Sequence, residues 1–144
     1  VSKLGSTASW SLNYIESLVG DAQLTKKDSG KRLMLNSASG LTVTLPSVAE
    51  AGVSWNCQVI IGTNCTSNSY IITEKTTVDT DVIVSQINEL ETDTGDDGPS
   101  NTGHTTLTMG NATDQKGDFF NIFCDGTNFY VYGQTALDGG CVLA

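Results

Sequence analysis

The chain of 144 residues is long enough for one domain and too short for two of ordinary size. It carries 16 acidic against 7 basic side chains, a formal charge of -9, although just 16% of its residues are charged. So few cations on a net anion cannot form a competitive phosphate-binding face, which excludes nucleic acid as a partner. No apolar run approaches the roughly 20 residues of a membrane-spanning helix, so no membrane partner is expected. Ser and Thr, about a quarter of the chain against ordinary usage, replace the missing charge. With 38% hydrophobic residues the chain can still build a core.

Residues 1–22 read as an N-terminal arm and residues 23–144 as the domain it precedes. The arm holds Leu4, Trp10, Leu12, Tyr14, Ile15, Leu18 and Val19, apolar but poorly periodic. Asn13 with Glu16 three residues on forms a capping-box pattern, which predicts a short helix ending at Gly20. An apolar terminus of this kind docks onto its own domain, a sister subunit or a different protein, with Trp10, Leu12, Tyr14 and Ile15 as the candidate anchors. Val1-Ser2-Lys3 leads into small polar residues and not into the apolar core of a secretory signal. The expected site of synthesis is the cytoplasm, and Asn64-Cys65-Thr66 and Asn111-Ala112-Thr113 then read as polar turns.

From residue 32 onward apolar and polar residues alternate, the signature of half-buried strands. Arg32-Leu33-Met34-Leu35-Asn36 and Leu41-Thr42-Val43-Thr44-Leu45 flank the turn Ser37-Ala38-Ser39-Gly40, and Pro46 stops the second. Residues 47–52 form a connector with room for one helical turn, ended by glycine. Residues 54–61 are the strongest strand, with Trp55, Cys57, Val59 and Ile61 on one face. Tyr70-Ile71-Ile72-Thr73, the patch Val82-Ile83-Val84 with Ile87, and residues 105–109 follow. Phe119 to Cys124 and Phe129 to Tyr132 are joined by Asp125-Gly126-Thr127-Asn128, whose Asp-Gly supplies the positive φ of a tight hairpin. Eight or nine short strands predict an all-β domain, a compact antiparallel β-sandwich or barrel of jelly-roll type.

Chemistry-bearing patterns are sparse. Cys57, Cys65, Cys124 and Cys141 contain no CxxC pair, and with the single histidine, His104, no zinc spacing exists. Cys57 and Cys65 either face each other across a hairpin or remain reduced, semi-buried apolar residues. Residues 89–101 gather Glu89, Glu91, Asp93, Asp96 and Asp97 in an exposed loop. Gly95 and His104 occupy positions where a calcium loop needs ligands, so no metal or other cofactor is expected. His104 lacks a nucleophile motif, and the acids do not flank a cleft, so no enzyme is expected. Trp55, Phe119, Phe120, Phe123, Phe129, Tyr130 and Tyr132 form either a sugar-binding platform or a core and subunit interface.

Three stretches together carry a resemblance. Asp28-Ser29-Gly30-Lys31-Arg32-Leu33-Met34-Leu35-Asn36 leads into Gly40-Leu41-Thr42-Val43-Thr44-Leu45-Pro46. Thr66-Ser67-Asn68-Ser69-Tyr70-Ile71-Ile72 follows the long strand, and Cys124-Asp125-Gly126-Thr127-Asn128-Phe129-Tyr130-Val131-Tyr132-Gly133 closes the series. This order resembles the small β-rich decoration (cement) proteins of tailed-bacteriophage heads. The resemblance implies a homotrimer on the outer surface of the virion capsid, bridging subunits of the major capsid protein. The same elements recur in tail fibres and tail spikes, which leaves a receptor- or glycan-binding β-domain as the alternative.

Overall fold

The computed structural model describes residues 14–90 and 100–144. Among these the chain forms twelve strands: β1 (Ile15–Leu18), β2 (Ala22–Gln23), β3 (Arg32–Leu35), β4 (Leu41–Thr44), β5 (Val53–Ile61), β6 (Tyr70–Thr73), β7 (Ile83–Glu89), β8 (Ser100–His104), β9 (Thr106–Met109), β10 (Phe119–Asp125), β11 (Phe129–Thr135) and β12 (Val142–Leu143). A 3-10 turn, Lys26–Asp28, and one helical turn, α1 (Val48–Ala51), complete the elements. The strands build a seven-stranded sheet in the order β1-β3-β5-β10-β11-β7-β8 and a five-stranded sheet in the order β12-β9-β6-β4-β2.

The two sheets pack together as the all-β sandwich that the alternation predicts. Leu33, Leu35, Val59, Ile61, Phe120, Ile122, Phe129 and Val131 from the larger sheet meet Leu41, Val43, Tyr70, Ile72, Leu107 and Met109 from the smaller in one core. Each fully buried leucine or isoleucine contributes roughly 1.5–3 kcal/mol. Pro46 and Gly52 do end β4 and α1 as expected, and Ser47 caps α1 through its Oγ, 3.2 Å from the Glu50 amide.

The sheets are mixed, where purely antiparallel ones were expected. β1, β3 and β5 run parallel in the larger sheet, and β2, β4 and β6 run parallel in the smaller. The chain therefore alternates between sheets, each turn of the coil laying one strand on either side of the core. Period-two alternation sets which face is buried but says nothing about the direction of the neighbour. The turn at residues 37–40 thus makes an arch between sheets, bringing Leu33 and Leu35 opposite Leu41 and Val43. Gly40 adopts φ +76°, and a Cβ there would collide with the Ser69 carbonyl.

An arch leaves backbone groups that a hairpin ladder would have paired. The Tyr70 hydroxyl supplies the missing partner at the centre of this one. It accepts from the Ser37 amide at 2.9 Å, and the Thr63 and Ser37 carbonyls lie 2.7 and 2.8 Å away to receive its proton. Among the described residues, β10 and β11 form the expected hairpin. Gly126 has φ +95°, and Asp125 Oδ1 accepts from the amides of Thr127 and Asn128 at 2.8 and 2.7 Å.

Two local expectations are corrected. The predicted helix from Asn13 to Gly20 gives way to β1, whose residues pair with β3 from Ile15↔Arg32 to Leu18↔Leu35. Residues 15–23 of the segment read as an arm and its junction thereby join both sheets, while residues 1–13 lie outside the described residues. The capping-box pattern is realised at the 3-10 turn: the Thr25 amide donates to Asp28 at 2.7 Å and Thr25 Oγ1 accepts from the Lys27 amide. Cys57 and Cys65 do not face each other across a hairpin, because residues 62–69 form another arch. All four thiols are free and buried.

Candidate interaction surface

Of the four candidate anchors, Trp10 and Leu12 lie outside the described residues. Tyr14 and Ile15 stand at the start of β1, the edge of the larger sheet, 52% and 60% exposed. The Tyr14 carbonyl accepts from the Arg32 amide at 3.0 Å, which fixes the backbone. Its ring lies 5.3 Å from Lys31 Nζ, a cation–π contact. Lys31 is held by Glu16 at 2.7 Å and Asp28 at 2.6 Å, and hydrogen bonds to Asp28 and Glu16 push its ammonium above the usual lysine range. Burial raises the Asp28 carboxyl, but bonds from Lys31 and Thr25 outweigh it and hold the group low. The edge is thus built on a fixed base with apolar side chains turned outward.

The aromatic residues divide between two environments. Trp55, Phe120 and Phe129 are buried in the core, with Trp55 edge-on to Phe129 at 5.8 Å. Phe123, Tyr130 and Tyr132 emerge on the outer face of the larger sheet. Phe123, 41% exposed, stacks on its cross-strand partner Tyr130 at 5.2 Å and on Tyr132 at 6.0 Å. The next cross-strand row is Arg32, Gln58, Asn121, Tyr132 and Gln86, rich in amides and poor in charge. This division follows from strand parity, since Phe120, Ile122 and Cys124 point inward while Phe119, Asn121 and Phe123 point outward.

A buried Ser–His contact escaped the sequence reading. His104 Nε2 lies 3.1 Å from Ser85 Oγ, and its Nδ1 has no partner among the described residues. Burial lowers the imidazole pKa below its ordinary 6.5, against the opposing charge of Asp81. Among the described residues the pair has no carboxylate on Nδ1, and both side chains are buried, so it has neither the orienting group nor the access of a triad. No signal short of the β7–β8 pairing would have brought these residues together.

Of the expected acidic loop, residues 91–99 lie outside the described residues, while Glu89 ends β7 and Ser100 begins β8. Buried carboxylates elsewhere do structural work. Glu74 accepts from the Val82 amide at 3.0 Å, Asp79 from Val48 at the start of α1 at 3.0 Å, and Asp114 from Cys65 at 2.7 Å. Asp118 accepts from Gln115 and Ala136, both at 2.9 Å. Among the described residues no cluster of His, Cys, Asp and Glu is arranged to hold a metal ion. Comparison of the chain with family models, curated proteins and solved structures gives no match.

Proposed function

We propose that this protein is a bacteriophage head decoration protein, a non-enzymatic homotrimer that binds the outer capsid surface and bridges major capsid protein subunits. The observation that carries the reading is the edge at β1, unpaired on its outer side among the described residues, where Tyr14 and Ile15 are 52% and 60% exposed on a rigid base. An open strand edge with apolar side chains is a template for another chain. Many modest contacts of this kind, repeated around a trimer, add through effective concentration into firm attachment. The sandwich itself suits a load-bearing clamp, with its interior filled by branched apolar side chains.

The test is re-addition of purified protein to particles that lack it, followed by imaging and copy counting. Hundreds of copies on the head are expected, and the double variant Tyr14→Ala, Ile15→Asp should lower occupancy at least about tenfold while leaving the monomer folded. A few copies on the tail would overturn the reading in favour of a receptor-binding module of a fibre or spike.

A further inference from the structure

We propose that the groove beside Phe123, on the outer face of the larger sheet, binds an acidic sugar unit, a uronate or sialate of a surface polysaccharide. The groove has a volume of about 310 Å³ and runs from Phe123 across Asn56, Gln58 and Asn121 to Arg32. That size suits a small ligand, at the lower end of the roughly 300–1,000 Å³ of binding pockets.

Each wall supplies a different part of saccharide recognition. Phe123 offers an aromatic surface for the apolar C–H face of a sugar ring. Its stacks with Tyr130 and Tyr132, at interplanar angles of 15° and 21°, hold it in place before any ligand arrives. Little ordering entropy is then lost on binding. On the floor, Gln58 Nε2 donates to Asn121 Oδ1 at 2.9 Å, which orients both amides. The Gln58 carbonyl and the Asn121 amino group remain as an acceptor and a donor side by side, the pattern that vicinal hydroxyls complement.

Arg32 selects for charge. The neighbouring Lys31 is already neutralised by Glu16 and Asp28. Arg32 is exposed and makes no ion pair with a carboxylate among the described residues. Its planar fork at the groove mouth matches a carboxylate through two parallel hydrogen bonds. Lys31 with Glu16 and Asp28 sums to one negative charge, so Arg32 brings this neighbourhood to neutrality in a chain of net charge -9. An incoming carboxylate therefore meets a guanidinium without an ion-pair partner among the described residues.

The inference requires that the outer face stays open, and does not depend on whether the protein sits on a head or a tail. Saturation-transfer NMR with sialyllactose and trigalacturonate, against lactose as the neutral control, tests it. Saturable binding of an acidic sugar is expected, stronger than that of lactose and weakened by salt. Arg32→Gln should cut acidic-sugar affinity about tenfold, and Phe123→Ala should abolish binding of either kind, while Phe123→Tyr retains it. Absence of binding at millimolar sugar, equal affinity for lactose, or binding unchanged in both loss variants would overturn the proposal. Phe123→Ala, on β10 and away from the β1 edge, should leave capsid occupancy unchanged. A loss of occupancy in Phe123→Ala would instead make this face a protein interface and overturn the sugar site alone.

Discussion

Tyr70 shows how one atom can hold a fold together. Its hydroxyl is the hub of the arch at residues 37–40 and of the loop at 62–69, and the ring is fully buried. Tyr70→Phe keeps the packing and strands the Ser37 amide, so it should cost ~1–3 kcal/mol in urea unfolding with an unchanged denaturant slope. His104 sets a pH dependence of opposite character. Burial holds its folded pKa below 6.5, so the unfolded chain takes up the proton first as the solution is acidified. The contribution of His104 should be intact above about pH 7 and fall as pH drops through and below 6.5, a loss removed in His104→Gln. Asp118, whose carboxyl is raised above 3.8 by burial, acts in a lower window and with the reverse sign. The thiols give a third test at this scale. Burial pushes Cys65 up to about 11 and Cys141 to about 12, and raises Cys57 and Cys124 as well. Aromatic disulfide reagents at pH 8 should therefore find no fast-reacting thiol until the protein is unfolded, whereupon all 4 should react.

At the level of elements, β11 carries the tightest constraint. Gly133 lies opposite Phe120, and a Cβ there would stand 2.6 Å from both the Phe119 carbonyl oxygen and the Phe120 ring. Backbone and core cannot both yield in the middle of a seven-stranded sheet. Gly133→Ala should therefore lose ~1–3 kcal/mol in thermal or urea unfolding, a cost of overpacking rather than of lost contacts. Strands such as β5, β10 and β11 were legible because their apolar residues repeat every second position and their turns carry glycine chemistry. β1 was not, since Asn13 and Glu16 mimic a helix start and the four residues of the strand are fixed by β3, seventeen positions away at Ile15↔Arg32. The outward set Phe123, Tyr130 and Tyr132 could be read from parity alone, but its meeting with Arg32 and Gln58 needed the strand order.

On the scale of the whole molecule, the net charge of -9 resolves into parts with different jobs. The residues expected in an acidic loop account for some of it, but Glu74, Asp79, Asp114 and Asp118 are buried where they tie amides of connecting segments. Composition could not distinguish these internal anchors from solvated surface charge, because both are simply carboxylates until the loops are placed. The coil of alternating strands was hidden for a similar reason: parallel neighbours are set by long-range order, and nothing in a five-residue link specifies arch over hairpin. That coil has a consequence for how such a chain can change. Among the described residues β1 ends one sheet and β2 ends the other, and both ends lie at the same extremity of the winding. Length can be gained or lost there by whole revolutions without shifting any existing pair, much as a screw is cut shorter without altering its thread. Additions within a link alter only the slack between threads, whereas a single residue inserted within β3 or β4 would turn every later side chain of that strand inside out.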